Sequence, residues 1–267
     1  MKPKVILITG YGINSEEETA VCFNWAGAET EIVHINDLIS GEKKLDQYQI
    51  LVLPGGFSYA DDTGSGNAVA NKLRNNMEEE VLKFAQEDKL VIGICNGFQM
   101  LANLGLTPAI DNKYGERQAA LMHNNTARLQ CRWVKVKNHS SKCVWTKDID
   151  LLRLPISHGE GNFYADQATH KKMLENDQIV FRYVMPDGST ANGHFPENPN
   201  GAMDDIAGIC DPSGRILGLM PHPERNNSFT NEENWTLEKE KIIRSGGVLP
   251  EKGAGLKIFE NAVQYFQ

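Results

Sequence analysis

Four short runs rich in β-branched residues, at positions 5–8, 30–35, 50–53 and 90–94, alternate with helix-patterned stretches at 16–25 and 68–86. Strands separated by helices pair in parallel, because each helix carries the chain back across the sheet, and such strands are buried on both faces. The first hundred residues therefore predict an α/β fold with a mostly parallel central sheet and helices on both faces. In open parallel sheets ligands bind beyond the carboxyl ends of the strands, and Gly10, Gly55 and Cys95 each fall just past one.

The pattern changes further on. Segments 129–136, 179–183, 206–210 and 215–220 read as shorter strands separated by Gly, Pro and Asn turns, which predicts a smaller antiparallel extension. Positions 226–253 are polar and charged and are expected as an insertion before a final helix at 256–266. A chain of 267 residues fits a single α/β domain over 1–267 better than two equal ones. No stretch is apolar enough to span a membrane, and Met1-Lys2-Pro3-Lys4 leads into a strand without a signal-peptide pattern, so a soluble, cytoplasmic protein is expected. Five cysteines with no pair at CxxC spacing argue against a disulfide framework and a structural zinc site. A net charge of −8 disfavours a nucleic-acid partner.

The chemistry begins at Gly93-Ile94-Cys95-Asn96-Gly97-Phe98-Gln99. The run 90–94 reads as a buried strand and 97–104 as an amphipathic helix closed by Gly105, which puts Cys95 at a strand-to-helix turn. A nucleophile at such a turn is held in a strained conformation, and Gly93 and Gly97 leave room for the bend. The helix N-terminus also favours negative charge on sulfur, the state that attacks a carbonyl carbon. An isolated cysteine at a strand end is more simply a small buried apolar residue; the flanking glycines favour the nucleophile.

Two further segments supply what a thiol lacks. Pro54-Gly55-Gly56-Phe57-Ser58 follows the strand before the nucleophile strand, so the amides of Gly56 and Asn96 can form an oxyanion hole at adjacent strand ends; alone, a Gly-Gly pair is an ordinary turn. In Pro221-His222-Pro223-Glu224 the prolines are expected to hold the chain extended, so that Glu224 orients His222 as the general base.

Gly93-Ile-Cys95-Asn-Gly-Phe-Gln99-Met-Leu101, Pro54-Gly-Gly-Phe-Ser-Tyr59, Pro155-Ile-Ser-His158-Gly-Glu-Gly161, Asn198-Pro-Asn-Gly201 and Gly218-Leu-Met-Pro-His222-Pro-Glu-Arg225 resemble the class I glutamine amidotransferases. More narrowly, they resemble the glutaminase subunits of phosphoribosylformylglycinamidine synthase, over about positions 4–225 and again in the last helix. The resemblance implies a flavodoxin-like fold, Cys95 as nucleophile, His222 as base and acid, and Glu224 as its orienting group. It also implies Gly56 and Asn96 as oxyanion donors, and Gln99, Ser157, His158 and Gly159 as lining a glutamine pocket. A metal reading of His158 and Glu160 lacks further ligands, so no metal is expected.

The implied reaction releases ammonia from L-glutamine through a cysteinyl thioester. Its implied acceptor is a synthetase subunit that converts formylglycinamide ribonucleotide to its amidine in purine biosynthesis, with a small bridging subunit. The chain lacks a Gly-x-x-x-x-Gly-Lys phosphate loop, so ATP and Mg2+ are expected on that partner and no cofactor on this chain. Two features depart from the family: Ala60 stands where glycine is frequent, and 226–253 is long. There Trp235, Lys239 and Lys241 form either an added contact surface or, more simply, a solvated excursion. The rivals are the glutaminase of another amidotransferase, such as those serving GMP or CTP synthesis, a hydrolase with the same turn, and a catalytically silent regulatory subunit. The motifs between Cys95 and His222 oppose the first, His222-Pro-Glu224 the second, and the intact triad the third.

Overall fold

In β1 (Lys4–Thr9) successive side chains face opposite sides, Val5 and Leu7 entering one apolar cluster and Ile6 and Ile8 the other. The same two-sided burial recurs in β3 (Ile50–Leu53) and β4 (Leu90–Ile94), every residue of which is buried. The computed structural model, which describes residues 2–267, thus builds a sheet whose core lies on both faces. On one face α1 (Glu16–Ala26) packs against the last helix, with Phe23 and Phe259 edge to face at 5.0 Å. Between α1 and β3 run β2 (Glu29–His34) and the short α2 (Ile35–Ile39). The opposite face is covered by α3 (Asn67–Gln86), through Val69, Leu73, Val81 and Phe84.

Beyond β4 come α4 (Asn96–Leu104), ended by Gly105 in the left-handed region, then β5 (Ala119–His123), β6 (Gln130–Asn138), β7 (Leu151–His158) and β8 (Glu160–Ala165). The chain continues through α5 (Gln167–Glu175), β9 (Ile179–Val184), β10 (Ile206–Cys210), β11 (Ile216–Leu219), α6 (Trp235–Arg244) and α7 (Leu256–Gln264). Nine strands form one sheet in the order β2-β1-β3-β4-β11-β10-β9-β6-β7, and β5 and β8 pair separately. The sheet is parallel from β2 to β11 and antiparallel from there to β7.

That order corrects one expectation. Segment 215–220 was grouped with the antiparallel strands, yet β11 pairs in parallel with β4, Leu219 beside Ile94, and only its other edge meets β10 antiparallel. This strand therefore delivers whatever follows it to the end of β4 that carries Cys95. β7 contains Pro155, which opposes a central strand; the fold resolves this by making β7 the sheet's edge. No residue of α6 is buried, and Lys239 lies over the Trp235 ring at 6.0 Å. Among the described residues no helix is long and apolar enough to cross a membrane.

Candidate active site

Cys95 joins β4 to α4 with φ 52° and ψ −106°, a conformation that costs a side-chain-bearing residue about 1–3 kcal/mol and persists only where its surroundings enforce it. Enforcement comes from two contacts. The Cys95 amide donates to Leu219 O at 2.7 Å, fastening the turn to β11. Gly97 presses on β3 so closely that a Cβ there would lie 1.7 Å from Leu53 O. The sulfur, 3% exposed, faces Ser157 O at 3.7 Å.

Because β11 runs parallel to β4, the chain leaving it reaches Cys95. His222 is fixed there by its own amide, which donates to Pro155 O of β7 at 2.9 Å. Its Nδ1 lies 2.5 Å from Glu224 Oε1, and both side chains are buried. The expected extended segment is present only up to His222; Pro223–Arg225 forms a 3-10 turn, which swings Glu224 back beneath the ring. A carboxylate at Nδ1 holds the proton on that nitrogen and leaves Nε2 for the reaction. Among the described residues Nε2 has no hydrogen-bond partner. Burial alone pushes the imidazole down, but the Glu224 carboxylate and then the Cys95 sulfur outweigh it and raise His222 to about 10.

The Gly-Gly loop lies beside this pair, since β3 and β4 are neighbours with Leu53 opposite Gly93. A Cβ on Gly55 would sit 2.8 Å from His222 Cε1, so the absence of a side chain is what admits the ring. Among the described residues, neither the Gly56 nor the Asn96 amide finds an acceptor in the protein, leaving both free for a developing oxyanion. The Asn96 side chain ties the neighbourhood together: its Oδ1 accepts from Ser58 N at 3.1 Å, and its Nδ2 donates to Gln99 Oε1 at 2.8 Å and Asp61 Oδ1 at 3.2 Å.

Gln99 in turn donates to Glu160 O at 2.5 Å, linking α4 to β8. Ser157 and His158 end β7, and Gly159 connects it to β8, which pairs with β5 instead; of the three, Ser157 faces the sulfur through its carbonyl. His158 is buried and, among the described residues, both its ring nitrogens are unpartnered; burial, and then the nearby His222, hold it down at about 3, so it is neutral at pH 7. A cleft of about 460 Å3, lined by Asp61, Ser65, His123, Arg128, Gly159 and Glu160 among others, opens beside this connection.

Several residues that shape the site carry no signal in the sequence. Asn124 braces the β7–β8 connection: its Nδ2 donates to His158 O at 2.9 Å, its Oδ1 accepts from Gly161 N at 3.1 Å, and its amide donates to Gly159 O at 2.9 Å. Asp61 reaches the site because Tyr59, Ala60 and Asp61 all take left-handed backbone, a conformation that glycine adopts more readily than any of them. Burial, with Glu160 nearby, raises Asp61 above the usual carboxylate range despite hydrogen bonds from Ser65 and Asn96.

A strained cysteine before a helix, a carboxylate-bound imidazole just beyond the adjoining strand and two free amides beside them are the parts that an α/β acyl-transfer site built on a cysteine requires. The chain belongs to the CobB/CobQ-like glutamine amidotransferase domain family, whose model matches residues 2–266. It is 54% identical to the phosphoribosylformylglycinamidine synthase subunit PurQ of Methanococcus maripaludis, over 99% of this chain and 97% of that protein. The corresponding subunit of Treponema denticola is 44% identical over 90% of this chain and 94% of that one. Among solved structures, PurLQS from Thermotoga maritima superposes with a TM-score of 0.72 at 29% identity, covering all of both chains. These likenesses place the chain with the PurQ-like class I members and bear out the expected fold.

Proposed function

We propose that this chain is the glutaminase subunit of phosphoribosylformylglycinamidine synthase, hydrolysing glutamine to glutamate and ammonia through a thioester on Cys95. The observation that carries the reading is the buried Cys95–His222–Glu224 arrangement beside two unengaged amides. Ionised sulfur attacks the amide carbon, and the Gly56 and Asn96 amides receive the oxyanion; one such donor contributes about 10²–10³ in rate. His222, whose surroundings favour the imidazolium, protonates the departing ammonia from Nε2. Then neutral, it takes a proton from the water that hydrolyses the thioester. The β7–β8 connection at Ser157, His158 and Gly159, with Gln99 behind it, holds the rest of the glutamine.

Released ammonia passes in the cytoplasm to a synthetase subunit that makes formylglycinamidine ribonucleotide in purine biosynthesis, with a small third subunit bridging the two. ATP and Mg2+ belong to that synthetase. The subunits of Methanococcus maripaludis and Treponema denticola, and the PurLQS assembly of Thermotoga maritima, support this assignment. Glutamate release by wild type and Cys95→Ala, each with and without the synthetase copurified from the native cell, tests it. Release that depends on Cys95 and rises with the synthetase is expected; equal release by both proteins would sink the assignment.

A further inference from the structure

Arg225, beside the base-orienting carboxylate, reaches across to the first loop of the chain. Its Nη2 donates to Ser15 Oγ at 2.9 Å, while Nε lies 3.9 Å from Glu224 Oε1 and 3.6 Å from Glu18 Oε1. Ser15 is fully buried and stands at the N-cap of α1, where a serine hydroxyl ordinarily accepts from the helix's own amides. Here it makes no such bond. Instead it accepts from Arg225 and donates to Asn14 Oδ1 at 3.3 Å.

The loop that ends at Ser15 is the backing layer of the oxyanion loop. Asn14 N donates to Gly55 O at 3.1 Å and Phe57 N to Gly12 O at 2.9 Å, with Ile13 bridged to Gly56 between them. Gly55 closes the circuit, because a Cβ there would meet both Ser15 Oγ, at 3.2 Å, and the His222 ring. His222, Glu224, Arg225, Ser15, Asn14 and Gly55 thus form one ring of contacts. An ordinary exposed ion pair leaves no such trace: it contributes about 0–1 kcal/mol and touches nothing else.

We propose that Ser15 and Arg225 are positioning residues that lock the His222–Glu224 pair to the loop carrying Gly56, so that the base and the oxyanion amides keep one fixed spacing. Neither touches the reacting atoms. Both act through Glu224 and the 10–15 loop, and the inference rests on the glutaminase reading of Cys95. The charged and titratable groups around the pair are Cys95 after β4, His158 on β7, Cys22 and Glu18 on α1, and Arg225 itself.

The test compares Ser15→Ala, Arg225→Gln, Arg225→Lys and the Ser15→Ala/Arg225→Gln double variant, as full chains with the synthetase. Each single change is expected to lower kcat about tenfold with KM for glutamine within about twofold, and the double variant to be no worse than about twofold below the poorer single. Arg225→Lys keeps the charge but cannot span Ser15 and Glu224, so it falls with Arg225→Gln. In Arg225→Gln the alkaline limb of kcat/KM moves to higher pH, since loss of a nearby cation stabilises the imidazolium that must be protonated for ammonia to leave; in Ser15→Ala it stays. Multiplicative losses, a loss confined to KM, or wild-type kcat in either single variant would overturn the coupling. Ser15→Ala removes one hydroxyl and decides the matter even if the arginine variants fold poorly. Wild type assayed alongside separates the two ideas: no Cys95-dependent glutamate release overturns the proposed function, whereas release with unaffected variants overturns only the coupling.

Discussion

Replacing Gly55 by alanine gives a sharp test of how closely the base is seated. The added methyl would lie 2.8 Å from His222 Cε1, whereas ordinary contact begins near 3.4 Å, so the ring must retreat by about 0.6 Å. It cannot simply translate, because its amide is held by Pro155 O and its Nδ1 by Glu224 at 2.5 Å. The ring pivots about that bond, and Nε2, the atom that serves the sulfur and the leaving group, moves farthest. A misplacement of about 1 Å costs about 10²-fold, so 0.6 Å implies a kcat loss on the order of ten- to twentyfold, or about 1.4–1.8 kcal/mol of barrier. Steady-state glutamate release in the presence of the synthetase should show that loss with KM nearly unchanged and the thermal midpoint close to wild type. Gly97→Ala is the matched control: its methyl would meet the Leu53 carbonyl at 1.7 Å, a backbone atom that cannot yield, and the expected outcome is an unfolded chain. Wild-type kcat in Gly55→Ala would mean that the ring has slack, and a loss confined to KM would mean that glutamine, not the base, meets the methyl.

Glu224→Gln is expected to lower kcat by about 10²–10⁴ with little change in KM, because the imidazole loses both its fixed tautomer and the charge that stabilises its protonated form; a change in KM alone would contradict that role. His158 is held at about 3 against an ordinary 6.5, so its contribution to stability is complete above pH 6.5 and is lost as pH falls toward 3. Urea midpoints for wild type and His158→Gln at pH 7, 5 and 4 should therefore converge as pH falls, by up to about 1.4 kcal/mol per unit, and parallel curves would refute it. Cys131 is the exposed cysteine and Cys95 is 3% exposed, yet a glutamine-analogue electrophile should modify Cys95 first. Mass spectrometry finding Cys131 modified first would show that the pocket does not recognise glutamine.

The parallel half of the fold was legible because burial on both faces leaves a contiguous apolar record: the segments 50–53 and 90–94 coincide with β3 and β4. The strands that went unread, β5, β7 and β8, keep one side wet or lie at an edge, so their composition is mixed. β7 alternates buried and partly buried residues regularly, but Pro155 at its centre masks the pattern. Direction was also unreadable for β11, since its four residues carry the same apolar signal whether their neighbour runs with them or against them.

At the site, what could be read were groups whose chemistry needs a particular residue type: the thiol, the imidazole, the carboxylate two places on, and the glycines that make room for them. Asn124 was invisible for the opposite reason. It acts by presenting one donor and one acceptor to the backbone of His158 and Gly161, a service that many polar side chains in many loops could perform. Arg225 falls between these cases. Its position next to Glu224 was plain from the chain, but its reach to Ser15 spans 210 residues and exists only because β11 and β1 end on the same side of one sheet. Residues that hold a site in register are therefore recognised by what they join, and that is a property of the fold.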